Sequence, residues 1–167
     1  QIVEDPDVDL DEYDLDAKAT STLMSLAQHV LNLADMLPEE DPKLESVLKI
    51  IDEKQKQDNN KIILFSSFRH TLSYLERKLR ALNYRVAQIN GGIKDDDRRA
   101  LRERFELDKS DPDALDILLF TEVGSEGLDY QFCDTMINYD LPWNPMRIEQ
   151  RIGRIDRRGQ KSEAVNI

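Results

Sequence analysis

The sequence predicts an α/β domain with a mainly parallel sheet, preceded by N-terminal helices. Three observations carry that prediction. Lys61–Ser66 and Asp116–Phe120 contain short, nearly all-apolar runs of the kind found in strands buried on both faces. Longer segments with helical spacing of apolar residues alternate with the strands, which implies parallel crossovers. The length of 167 residues suits one domain with a sizeable core.

Taken in order, residues 1–16 are rich in Asp and Glu and read as extended or disordered. From Lys18 the pattern turns helical: Leu23, Leu26, Ala27, Val30, Leu31, Ala34 and Leu37 share one face. Pro38 stops that helix. Asp41-Pro42 has the form of an N-cap followed by proline at the first helical position. Leu44, Val47, Leu48 and Ile51 then make an apolar stripe, and Asp58-Asn59-Asn60 ends the second helix. Next come a strand at Lys61–Ser66, a helix at Arg69–Leu82 and a strand at Arg85–Ile89 closed by Asn90-Gly91-Gly92. A charged amphipathic helix follows at Lys94–Leu107, with Ile93, Leu101 and Phe105 as its contacts. Strands at Asp116–Phe120 and Thr135–Tyr139 lead to a helix that starts at Asn144-Pro145. Ala164–Ile167 reads as the beginning of a last strand, cut short. The organisation expected is an acidic segment with a linker or brace helix over 1–40 and the α/β domain over 41–167.

Composition narrows the classes. The chain is 40% hydrophobic and 34% charged, as in a soluble globular protein. No run of about 18 apolar residues is present, so no membrane partner is expected. Cys133 is the single cysteine, which excludes an internal disulfide; in its apolar stretch it reads as a small buried residue. A cytoplasmic setting is expected, in the cytoplasm or nucleoid of a bacterium. His29 and His70 have no metal-ligand spacing around them, so no metal is assigned. Taken alone, the net charge of −11 argues against nucleic acid. Its distribution removes the objection: residues 1–60 hold 16 acidic and 5 basic side chains, residues 61–167 hold 18 of each.

In an open α/β sheet, ligands gather beyond the carboxyl ends of the strands. The distinctive residues fall there. Ser66, Ser67 and Thr121 offer hydroxyls to phosphate oxygens, and Gly91 and Gly92 permit close approach of a nucleic-acid backbone. Each signal is weak alone, since serine after a strand is more often a helix cap or turn residue. Trp143 reads as packing rather than stacking. The segment Gln150–Gln160 is far more specific. On a helix Gln150, Arg154 and Arg157 stand at i, i+4 and i+7 and project from one face. Arginines held that way form a charged fork suited to a phosphoryl group in transfer. A solvated basic face is the plainer alternative. It explains neither Gln150 in register with the arginines nor Gly153 and Gly159, both poor helix formers.

These segments carry a resemblance. Ile62–Phe68, Thr121–Asp129 and Gln150–Arg157 resemble motifs IV, V and VI of superfamily 2 helicases. Asp41–Glu45, Trp143-Asn144-Pro145 and Arg158-Gly159-Gln160 resemble segments of Snf2-type ATPases. Ser125-Glu126-Gly127 with Gln150–Arg154 is most similar to the bacterial Snf2-related branch that includes the RNA-polymerase-recycling ATPase. The resemblance covers roughly residues 41–167. Asp129 departs from it, because many Snf2 proteins have Asn there.

The resemblance implies a RecA-like (P-loop NTPase type) three-layer domain, the second lobe of a two-lobe motor. ATP and Mg²⁺ would be held mainly by a first lobe of the same polypeptide. Arg154 and Arg157 would be arginine fingers, Gln150 would help position the nucleotide or the fingers, and Gly127 and Asp129 would lie near the ribose. Ser66, Ser67, Gly92 and Thr121 would face the sugar-phosphate backbone of a nucleic acid, expected to be double-stranded DNA. A protein complex being remodelled is a further expected partner. The sequence has no Gly-x-x-x-x-Gly-Lys-Ser/Thr loop, so the chain by itself is expected to hydrolyse no ATP. The competing reading is a non-motor RecA-like interaction or regulatory module. A small-molecule enzyme is disfavoured by the missing Gly-x-Gly-x-x-Gly fingerprint.

Overall fold

Four short, largely apolar runs with side chains on both faces of a sheet set the architecture. They are β1 (Ile62–Phe65), β2 (Val86–Ile89), β3 (Ile117–Phe120) and β4 (Met136–Asn138). All pair in parallel in the order β2-β3-β1-β4. The computed structural model describes residues 17–36, 40–122 and 129–167. The chain divides into two units, Gln1–Asp41 and Pro42–Ile167.

In the first unit α1 (Ala17–Asp35) forms over the expected helical stretch. Leu23, Leu26, Val30 and Leu31 are exposed along it. The acidic residues 1–16 and the stop at Pro38 lie outside the described residues.

In the second unit the helices are α2 (Pro42–Gln55), α3 (Arg69–Ala81), α4 (Asp95–Glu106) and α5 (Pro145–Ile152). Strand periodicity divides the core in two. Ile62, Leu64, Ile117 and Leu119 point to one face and pack with Leu44, Val47 and Ile51 of α2 and Leu72, Leu75 and Leu79 of α3. Ile63, Phe65, Leu118 and Phe120 point to the other and pack with Phe105 of α4, Tyr130, Cys133 and Ile155. Covering both faces with helices is what a parallel sheet requires, and it gives the three-layer arrangement expected. Burial pushes the Cys133 thiol up to about 12, and the residue is fully buried, as read from its apolar surroundings. The expected last strand is represented by Asn166, which bridges in parallel to Thr135.

The amino ends of the strands rest on buried charges. Asp116, just before β3, accepts from Arg85 Nε and Nη2 and from Asn60 Nδ2, each at 2.7 Å. Lys61 Nζ lies 3.8 Å from the same carboxylate and donates to Leu115 O at 2.7 Å. Burial pushes the Lys61 ammonium down and Asp116 raises it again. Lys54 of α2 pairs with Asp134 at 2.6 Å, which fixes the chain entering β4. One carboxylate thus ties the feet of β1, β2 and β3. Removing one partner of a buried charged cluster costs about 3–5 kcal/mol. Asp116→Ala is therefore expected to lower the unfolding free energy by that amount, read as a lower urea midpoint with little change in slope. Asp116→Asn, which keeps an acceptor, should lose less, and an unchanged midpoint in the alanine variant would refute the assignment.

Candidate functional site

At the opposite, carboxyl edge of the sheet one side chain organises the loops. Arg151 of α5 is 1% exposed. A charge so buried is tolerated only when paired and hydrogen-bonded. Its Nε donates to Glu122 Oε1 at 2.9 Å, and Nη2 reaches the same oxygen. Its Nη1 donates to Asn138 Oδ1 at 2.8 Å and to the Asp140 carbonyl at 3.1 Å. The guanidinium also stands 5.1 Å from the centre of the Phe65 ring, a cation–π contact. Glu122 follows β3, Asn138 ends β4, Asp140 follows β4 and Phe65 ends β1, so Arg151 gathers three strand ends.

Asp140 extends this network to the loop after β1. Its carboxylate accepts from Ser66 Oγ at 2.5 Å, Ser67 N at 2.9 Å and Ser67 Oγ at 3.0 Å. Ser66 has no exposed surface, whereas Ser67 is exposed. Ser66, buried on Asp140, holds the loop, and Ser67 stands at its surface. Thr121 is also buried, and its N–H donates to Ile89 O at 3.3 Å. Gly92 is exposed, and Asn90 Oδ1 accepts from its N–H at 2.9 Å, which closes the turn after β2. Trp143, expected to pack, is 100% exposed. It precedes Asn144, whose side chain caps α5 by accepting from Met146 N at 3.0 Å.

The arginine segment departs from its expected geometry. Helix α5 ends at Ile152 with Gly153 as its cap, so Arg154 and Arg157 do not share a helix face with Gln150. Arg154 N and Ile155 N each donate three residues back, to Arg151 O and Ile152 O, both at 3.0 Å. The physical reason for the break is Ile155, which is fully buried in the core beside Tyr130 and Cys133. Gln160 fixes the far end by donating to Cys133 O at 2.9 Å and Ile155 O at 2.8 Å. Tyr130 N donates to Arg154 O at 2.9 Å, joining this turn to the chain after β3. Gln150 lies exposed on α5, and Arg154 is partly exposed on the turn. Arg157 pairs with Asp129 and donates from Nε to Gly153 O at 2.6 Å. Gly127 lies outside the described residues.

The structure thus brings Asp129, Arg154 and Arg157 together and sets Ser67 and Gly92 on neighbouring loops of the same edge. Sequence reasoning missed Arg151, Asp140 and Glu122 as the residues that hold this edge, and Gln160 as the anchor of the turn. A hydrogen bond to a charged group contributes about 1.5–3 kcal/mol. Ser66→Ala should destabilise by about that amount and Ser67→Ala by less than about 1 kcal/mol, compared by urea unfolding. Equal losses would remove the distinction between the two serines.

Comparison with known proteins agrees with this geometry. The helicase conserved C-terminal domain model matches residues 42–159. An uncharacterized ATP-dependent helicase of Bacillus subtilis, YqhH, is 40% identical over 116 residues, covering 70% of this chain and 20% of that protein. The RNA polymerase-associated protein RapA of Yersinia enterocolitica is 35% identical over 124 residues, 74% of this chain and 12% of that protein. The ATP-dependent RNA helicase dbp8 of Aspergillus fumigatus is 33% identical over 123 residues, 74% of this chain and 22% of that protein. The chain therefore spans 12% to 22% of the length of these relatives. The C-terminal part of the Fun30 ATPase domain has the same fold, with a TM-score of 0.67 at 22% identity over 89% of this chain and 49% of that one. With its parallel sheet and its Gln150–Arg157 segment at the carboxyl edge, the chain belongs to the helicase C-terminal domain family, as a superfamily 2 lobe near the bacterial RapA branch.

Proposed function

We propose that this chain serves as the second motor lobe of a nucleic-acid-dependent ATPase, closing on ATP that a first lobe holds. The observation that carries the reading is the anchored turn bearing Arg154 and Arg157. Ile155 and Gln160 fix its backbone to the core, and on it Arg154 is partly exposed and Arg157 exposed. A finger works by meeting charge that develops on the transferring phosphoryl group, and needs a backbone that does not yield.

In this proposal Arg154 and Arg157 face the γ-phosphoryl group, Gln150 orients the nucleotide or the fingers, and Asp129 lies near the ribose with Gly127. Mg²⁺, held with the triphosphate by the first lobe, would neutralise charge on the phosphate oxygens. Ser66, Ser67, Gly92 and Thr121 would lie along the path of a sugar-phosphate backbone, Ser67 and Gly92 at the surface and Ser66 and Thr121 buried. Backbone contacts suit a motor that steps along any sequence. The track proposed is double-stranded DNA, and the work proposed is remodelling of a protein complex bound to it. The Snf2-type segments at Trp143–Pro145 and Arg158–Gln160 support both, and RapA is by name associated with RNA polymerase. The RNA helicase among the relatives makes RNA the comparison to run.

The test is ATPase activity of the polypeptide carrying both lobes, alone and with duplex DNA, single-stranded DNA or RNA. Stimulation by duplex DNA is expected. In Arg154→Ala turnover should fall by about 10³–10⁵, with nucleic-acid affinity changed only a few-fold. Stimulation by RNA alone would replace the track but keep the motor. No turnover with any nucleic acid would favour the non-motor interaction module.

A further inference from the structure

The two arginines of the turn are not equivalent in the free lobe. Arg157 is folded back onto its own domain. Nε is donated to Gly153 O at 2.6 Å, and Nη1 to the Asp129 carboxylate. A guanidinium grips a phosphoryl group through two neighbouring nitrogens. Each such edge of Arg157 includes a nitrogen already engaged, so the residue must let go of the lobe before it can grip with both.

Asp129 is the fixed member of this pair. Arg102 of α4 donates to its carbonyl at 3.0 Å, and Arg102 is itself steadied by Glu106 at 3.0 Å and the Phe132 ring at 5.5 Å. The next residue, Tyr130, is 1% exposed and joined through its N–H to Arg154 O. The backbone that carries the carboxylate is therefore pinned beside the turn, while Arg157 reaches it with a long side chain. Both side chains are well exposed, 43% for Arg157 and 42% for Asp129. An ion pair so exposed is weak and exchangeable, unlike the buried pair of Arg151 with Glu122.

We propose that Asp129 is a positioning residue that parks Arg157 away from the phosphoryl site until a nucleotide is bound. This rests on the motor reading above. A ribose hydroxyl arriving at Asp129 competes for its carboxylate oxygens, and the triphosphate offers Arg157 a more highly charged partner. Binding of the nucleotide at one end thereby releases the finger at the other. Nucleotide-free lobes keep Arg157 paired within the domain.

The experiment uses the polypeptide with both lobes and measures ATP turnover without nucleic acid, where release of the finger limits the rate. Asp129→Asn keeps hydrogen-bonding capacity toward a ribose but removes the charge that holds Arg157. Its basal turnover at saturating ATP should rise about two- to five-fold, the range set by an exposed ion pair. Asp129→Glu, which restores the charge, should return turnover towards wild type. In an Arg157→Ala background the Asn substitution should have no effect, because there is no finger left to release. No rise in Asp129→Asn, or a rise that persists without Arg157, overturns the proposal while leaving the motor reading intact. A wild-type protein inactive with every nucleic acid overturns both.

Discussion

The functional edge of this domain depends on a buried positive charge. Arg151 sits where solvent cannot reach, and its desolvation is offset only by partners drawn from different loops. Glu122, Asn138 and the Asp140 carbonyl must all be in place at once. Partial satisfaction would be worse than none, since a half-paired charge keeps the desolvation cost without the compensating bonds. The loops after β3 and β4 are therefore placed as one unit. Asp140 adds the loop after β1, because the same residue that faces Arg151 accepts both serine hydroxyls. Residues proposed to meet nucleic acid and residues proposed to meet nucleotide are thereby separated by one aspartate and one arginine.

The other edge uses the same chemistry for a different end. Asp116 with Arg85, Lys61 and Asn60, and Lys54 with Asp134, lie at the feet of the strands. Apolar alternation fixes which side chains face which helices, and a slip of one residue would invert every one of them. It says little about how far each strand is pushed along its axis. Buried ion pairs at one end and Arg151 at the other supply that limit. The result is a sheet clamped at both ends, on which a short turn can be carried without moving.

Much of this was legible from residue pattern. Strands and helices of the second unit fall within a residue or two of the expected positions, because short apolar runs mark the strands and a period of 3.6 marks the helices. The helix carrying the arginines was not. Spacing alone allows Gln150, Arg154 and Arg157 one helical face, and only the demand of Ile155 for the core ends α5 at Ile152. Ser66 and Ser67 look alike in sequence, yet one is buried and one exposed; the carboxylate that decides between them lies more than seventy residues away. Trp143 shows the reverse case, a large aromatic residue expected to pack and found fully exposed. Among the arginines of Gln150–Arg158, nothing in the sequence marks Arg151 as the buried one. Its identity depends on three partners supplied by loops that only the fold brings together.

The magnitudes of these pairings decide which arginine can move. Arg151, buried and joined to several partners, is held by an interaction of the class whose disruption costs about 3–5 kcal/mol. Arg157 and Asp129 form an exposed pair, worth about 0.2–1 kcal/mol in that setting. A triphosphate can exchange with the second and cannot displace the first. The break in α5 is what permits this difference. On a continuous helix the three residues would be fixed relative to each other by the same hydrogen-bond ladder. Because the ladder ends at Ile152, Arg151 stays in the rigid network while Arg157, beyond the Ile155 anchor, is left on a side chain free to change partners. Rigidity of the backbone and exchangeability of the finger are then compatible, since different residues of one short segment supply them.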